Sequence, residues 1–259
     1  MYDGSLDVIV VRGAFDGAAL ADVGERLDVD RDGPRWSRPN ETMPVEDVQL
    51  LGTDTPATPT FRSPRGTSLD VYLSSAAAHA GEAAAVFDAG FDAAREIGTV
   101  LGRFSGRRPV ETARARDGRT YAPFTIRRLA DGRQIGVHHD YHYRLELYSE
   151  LAQQVDTGTL ISYVATLRSA REGGELLVYS ATSDAPDLPK LANGYSYDLA
   201  AIEARYDCAR VATNPGDLFL LASGRCLHRV ARIAGPEARI TMGGFLALDR
   251  SRERVLFWS

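Results

Sequence analysis

The chain has 259 residues, 44% of them hydrophobic and 25% charged, a globular composition that excludes a disordered or fibrous protein. At this length roughly three quarters of the unfolded surface can be buried, so neither disulfides nor a structural metal is needed to hold a core, and any bound metal serves chemistry. A net charge of −5 leaves no electrostatic footprint for nucleic acid or an anionic membrane; with two cysteines, no charged-then-apolar leader and no apolar run of about 18 residues, the expectation is a soluble, reduced, cytoplasmic protein.

Residues 5–15 carry a β-branched apolar run, read as a strand, and Asp16 offers an N-cap for a short helix through Leu27. Residues 31–68 hold Pro34, Pro39, Pro44, Pro56, Pro59 and Pro64 among scattered polar residues, the texture of a long loop with at most short pieces of structure. A loop of that length is a candidate lid. From about Leu69 to Phe104 apolar residues recur at spacings of three and four, which predicts one long amphipathic helix or two. After Pro109 the chain turns to short β-rich runs punctuated by Gly, Pro, Asn and Asp, with strands expected near 122–129, 134–140, 158–168, 174–180, 209–213, 217–222, 226–233 and 238–248. Eight short strands behind a helical front end predict an α+β, mainly β protein. Its expected core is a jelly-roll, the cupin-like double-stranded β-helix, with the N-terminal helices packed on one face. No repeat and no clean linker appears, so the chain reads as a single domain: an N-terminal region over 1–120, a catalytic core over 121–248 and a tail over 249–259.

Histidines concentrate where chemistry is plausible. His138, His139 and His142 surround Asp140, and His228 follows far downstream. Alternate residues of a strand share a face, so His138 and Asp140 point together while His139 points away. With His228 from a later strand they complete a 2-His-1-carboxylate triad that leaves coordination positions open, a set suited to Fe(II) and oxygen chemistry; taken alone, such a triple is weak against a structural reading. Of the 30 basic residues only Lys190 is a lysine, so an anion held by a buried cation here is held by arginine, which grips carboxylates in bidentate fashion. Arg239 and Thr241 share parity on the strand after His228, and an interior arginine needs an anionic partner that a dicarboxylate cosubstrate would provide. The competing reading makes Arg239 a solvent-facing strand residue.

The order of these motifs resembles the Fe(II)- and 2-oxoglutarate-dependent oxygenases, specifically their prolyl-4-hydroxylase-like branch, over about residues 121–248. The segments carrying the likeness are Phe124–Leu129 through Gly136-Val137-His138-His139-Asp140, Thr159–Val164 with Gly173-Gly174-Glu175-Leu176, Asn214-Pro215-Gly216-Asp217, His228-Arg229-Val230 and Arg239-Ile240-Thr241. The resemblance implies that His138, Asp140 and His228 are the iron ligands and that Arg239 binds the distal carboxylate of 2-oxoglutarate with help from Thr241. It further implies O2 as co-reactant, with succinate and CO2 released as an unactivated C–H bond is oxidised. Related halogenases have Gly or Ala at the Asp140 position, so the carboxylate implies hydroxylation.

The expected substrate is a small molecule, an amino acid or a biosynthetic intermediate. Alternatives are a peptidyl (prolyl-type) hydroxylase, or a jelly-roll binding module without catalysis. Tyr163 is a possible further cosubstrate contact whose facing the sequence leaves open, and His142 shares a face with the triad. Arg127, Arg144 and Arg168 read as surface arginines that could otherwise meet a substrate carboxylate. Cys226 reads as a core thiol, Tyr141, Tyr143 and Tyr148 as barrel packing, and Gly173 and Gly174 as a turn needing unusual backbone angles.

Overall fold

The computed structural model describes residues 1–29, 48–51, 68–87, 91–140, 148–191 and 197–259. Strand β1 (Val8–Val11) leads into helix α1 (Gly17–Val29), and the Asp16 carboxylate accepts from the free N–H groups of Ala18 and Ala19, as its side chain and position predict. Of the Pro-rich region, strand β2 (Val48–Leu51) is described, paired with a later strand; the proposed lid otherwise lies outside the described residues. The alanine-rich stretch divides into α2 (Leu69–Val86), capped by Ser68, and α3 (Ala93–Gly102), capped by Asp92. His79 falls on α2, outside the described side chains.

The remaining strands are β3 (Val110–Thr112), β4 (Thr125–Leu129), β5 (Ile135–His138), β6 (Ile161–Arg168), β7 (Leu176–Thr182), β8 (Cys208–Val211), β9 (Leu218–Leu221), β10 (Cys226–Val230), β11 (Arg239–Leu248) and β12 (Val255–Trp258), with short helices α4 (Leu151–Gln154) and α5 (Leu199–Arg205). Two antiparallel-rich sheets result. The larger runs β1-β9-β6-β11-β12-β3, with β4 also on β11 and β2 on β4; the smaller runs β5-β10-β7-β8. This is the double-stranded β-helix expected from the strand pattern. The supposed tail supplies β12, whose apolar Val255-Leu256-Phe257-Trp258 pairs with β11 on one side and β3 on the other.

Strand alternation assigns the two faces of the large sheet. Ile126, Tyr163, Ala165, Ile240, Met242 and Leu246 form one cluster with Leu20, Val23 and Leu27 of α1 and with Ile97 and Leu101 of α3, so this is the outer, helix-covered face. The intervening residues Val164, Phe219 and Leu221 pack against Leu176 and Val178 of the small sheet. Those residues line the interior. Helix α2 packs elsewhere, placing Tyr72, Leu73 and Ala76 with Tyr121, Tyr148, Phe245 and Trp258.

Candidate metal and cosubstrate site

The triad assembles at one end of the space between the sheets. His138 ends β5 and lies directly opposite His228 of β10 in the antiparallel register. His228 in turn lies opposite Val178, an interior residue. Asp140 follows β5 by two residues and is fixed by its backbone N–H, which donates to the Ser223 carbonyl (2.9 Å). Nε2 of His138 lies 3.8 Å from Asp140 Oδ1, Nε2 of His228 lies 3.9 Å from Asp140 Oδ2, and the two imidazole centroids are 4.2 Å apart. One ligand atom from each residue thus falls within 4.8 Å of the others.

The hydrogen bonds around these groups prepare them for a metal. Nδ1–H of His138 donates to the Gly136 carbonyl (2.8 Å), and Nδ1–H of His228 donates to the Cys226 carbonyl (3.0 Å). Each bond reaches back two residues along its own strand, fixes the tautomer and leaves the Nε2 lone pair directed at the shared space. Burial, reinforced by neighbouring His138, pushes the His228 imidazole down to about 4, so it stands neutral, as a ligand must, throughout the neutral range. The Ser162 hydroxyl on β6 donates to Asp140 Oδ2 (2.7 Å) and shares a hydrogen bond of 2.6 Å with Ser223. Two imidazoles and a carboxylate on rigid elements, oriented by outer partners, fit Fe(II) by donor chemistry.

Arg239 and Thr241 begin β11 and face the same interior. Arg239 lies opposite Leu129 of β4, and Leu129 packs with Val230 and partly buried Ile135 of the small sheet. Arg239 is only 7% exposed, and its guanidinium has no carboxylate partner among the described residues. Burial, then the charge of Arg127, lowers it to about 10. An unpaired interior cation is unfavourable by itself and fits one end of a dicarboxylate such as 2-oxoglutarate. Thr241, 2% exposed, adds a hydroxyl. The Gly173-Gly174 turn makes room for this arginine. Both glycines have φ of +75°, and a Cβ on Gly174 would sit 3.0 Å from Arg239 Cδ, while one on Gly173 would meet the Arg232 carbonyl oxygen at 1.8 Å.

Other candidates sort themselves by face. His139 points away from the triad, with Nδ1 3.0 Å from the Tyr197 hydroxyl. Tyr163 is on the helix side, where its hydroxyl donates to the Pro123 carbonyl, and makes no cosubstrate contact from there. Cys226 packs in the interior with Val164 and Val178, and burial raises its thiol to about 12, so it is an inert core residue. Tyr148 packs between Tyr72 and Tyr121. Arg168 is no free surface cation: it shares Asp28 of α1 with Arg128. Arg127, by contrast, faces the interior. Tyr141, His142, Tyr143 and Arg144 lie outside the described residues. Ser162 and Ser223 escaped the sequence reading, because a serine signals nothing until β6 is aligned beside Asp140.

Comparison with known proteins bears on the fold and the family. The solved epimerase SnoN from nogalamycin biosynthesis superposes with a TM-score of 0.53 at 13% identity, over 93% of this chain and 80% of that one. A Pseudomonas putida prolyl-4-hydroxylase gives 0.45 at 11% identity, over 93% and 92% of the respective chains. An N-substituted L-amino acid dioxygenase from Burkholderia ambifaria gives 0.45 at 17%, over 92% and 91%. At such identities the likeness is one of fold. No curated protein sequence matches the chain. The model of one protein family, described as carrier-protein-independent halogenase WelO5, matches residues 1–259. The chain therefore belongs to that family, and it shares the fold of Fe(II)- and 2-oxoglutarate-dependent oxygenases.

Proposed function

We propose that the protein is a hydroxylase, using Fe(II), 2-oxoglutarate and O2 to oxidise an unactivated C–H bond of a small molecule such as an amino acid or a biosynthetic intermediate. His138, Asp140 and His228 are its metal ligands, and Arg239 with Thr241 holds the distal carboxylate of the cosubstrate. When bound, the iron and 2-oxoglutarate together supply the O2-derived oxidising power, with succinate and CO2 as coproducts.

The observation carrying the choice of hydroxylation is the Asp140 carboxylate, set between the two imidazoles and held by Ser162 and the Ser223 carbonyl. An ion held by all three of these donors would have room for cosubstrate and O2 but none for a halide, whereas a Gly or Ala in place of Asp140 would free a position. The family's name favours halogenation, and Asp140 argues against it in this member. The protein's remaining tasks are positional. Gly136 and Cys226 hold the two rings in their metal-binding tautomer, Arg239 orients the cosubstrate along β11, and the apolar residues between the sheets exclude water.

Anaerobic titration with Fe(II) and 2-oxoglutarate tests the site without knowledge of the substrate. A visible charge-transfer band is expected, lost in His138→Ala and weakened in Arg239→Ala. No band in folded protein would favour a binding module. Once a substrate is found, aerobic turnover in chloride or bromide buffer should give the hydroxylated product; a halogenated product would refute the assignment made from Asp140.

A further inference from the structure

The ladder across β4, β11 and β6 orders the interior face from one end of the site to the other. Arg239 lies opposite Leu129, Thr241 opposite Arg127, and Gly243 opposite Thr125. Phe245 lies opposite Ser162, the serine that bonds Asp140. Arg127 is therefore one register step nearer the metal than Arg239 and one strand to its side. Its facing follows from its neighbours: Ile126 joins the helix-side core, and Arg128 reaches Asp28 of α1 with Nε and Nη2 at 2.9 and 2.7 Å. The residue between them must point inward. Arg127 is partly buried, and like Arg239 it has no carboxylate partner among the described residues.

Charge decides what this second guanidinium is for. In the reading proposed above, on which this inference rests, the charges of Fe(II) and Arg239 are matched by Asp140 and the two carboxylates of 2-oxoglutarate. Arg127 remains a surplus cation at the flank of the cosubstrate, in a partly desolvated position where an unpaired charge is unfavourable. We propose that Arg127 is a specificity-determining residue that anchors an anionic group, a carboxylate in the first instance, of the small-molecule substrate. A planar guanidinium pairs with a carboxylate through two parallel N–H donors and so fixes orientation as well as position. The substrate class is thereby narrowed to carboxylic acids small enough to place a C–H bond at the metal while the carboxylate reaches β4.

The test uses the anaerobic Fe(II)–2-oxoglutarate protein and matched probes: free and N-acetylated L-amino acids against the corresponding carboxamides. Binding is read by thermal shift, and cosubstrate affinity separately by the charge-transfer band. At least one acid should bind the wild type about tenfold or more tightly than its amide, the margin expected for a charge-assisted pair. Arg127→Gln should remove that preference, Arg127→Lys should retain part of it, and both should bind 2-oxoglutarate within about twofold of wild type. The band in Arg127→Gln also certifies that the variant is folded. Failure of every acid to outbind its amide overturns the inference, as does a preference that survives in Arg127→Gln. A roughly tenfold loss of 2-oxoglutarate affinity in that variant would assign Arg127 to the cosubstrate instead. Absence of the band in wild type would overturn the underlying reading as well, so the two failures are distinguishable.

Discussion

Replacing Arg239 by methionine should separate stability from function. In the ligand-free protein the guanidinium is buried beside Leu129 with no carboxylate partner among the described residues, and burial, then the charge of Arg127, disfavours its charged form, lowering it from 12.5 to about 10. At about 1.4 kcal/mol per pH unit, that is roughly 3 kcal/mol. A methionine of similar length keeps much of the stem's packing and removes the charge. The metal-free Arg239→Met protein should therefore melt higher than wild type, by about 6–12 °C at the 2–4 °C per kcal/mol usual for a chain of this size. In the proposed reading the same substitution deletes the partner of the distal carboxylate, and it should weaken 2-oxoglutarate by about 3 kcal/mol, or roughly a hundredfold in Kd. Calorimetry in the presence of a chelator reads the first effect, and anaerobic titration of the charge-transfer band reads the second. A variant that melts lower than wild type and binds 2-oxoglutarate unchanged would show that the arginine is satisfied within the protein and that the cosubstrate lies elsewhere.

Two further outcomes follow from the groups around the metal ligands. Ser162→Ala leaves Asp140 Oδ2 one donor short in a buried position; Fe(II) affinity should fall by about 10–100-fold, measured by competition with a chelator, and an unchanged affinity would deny the serine its orienting role. The depressed His228 imidazole makes the metal-free protein sensitive to acid. Its folded value of about 4 lies below an unfolded value near 6.5, so the unfolded chain takes up the proton first. Stability present above pH about 6.5 is then lost as pH falls toward about 4, by roughly 3 kcal/mol. Denaturant titrations at several pH values should show this slope in wild type and lose most of it in His228→Gln.

How far the sequence discloses this site depends on the range over which strand parity acts. Along one strand and its immediate extension spacing sets direction: His138 and Asp140 share a face, His139 opposes them, and Arg239 shares a face with Thr241, although spacing alone does not say that this face is the interior. Between strands, parity says nothing until register is known. That is why Tyr163, on a strand neighbouring the site, could be entertained as a cosubstrate contact although Gly244, not Gly243, is its partner on β11, which puts it on the helix side. The same ignorance made Arg127 and Arg168 look alike, when pairing places the first opposite Thr241 and the second, together with Arg128, on Asp28. Strand β12 was hidden for a different reason. Its four apolar residues follow the charged run Asp249-Arg250-Ser251-Arg252-Glu253-Arg254, which reads as the end of a domain, and only its burial between β11 and β3 explains why they are apolar.

The register also explains why the site has a direction. Along β11 the interior positions pass from a buried cation at Arg239, through Thr241, to Phe245 beside the Ser162–Asp140 pair. The proposed metal ligands come from the small sheet and the residues just after β5, and the antiparallel pairing of His138 with His228 brings two residues 90 positions apart into contact. One sheet thus supplies the metal donors and the other the cations. In the proposed reading a linear dicarboxylate joins them, its chelating end at the open metal positions and its far carboxylate at Arg239. The strand flanking that path, β4, contributes only one charged side chain to the interior. Arg127 therefore acts on whatever lies beside the cosubstrate, and the side facing the metal is where a substrate must be for its C–H bond to react.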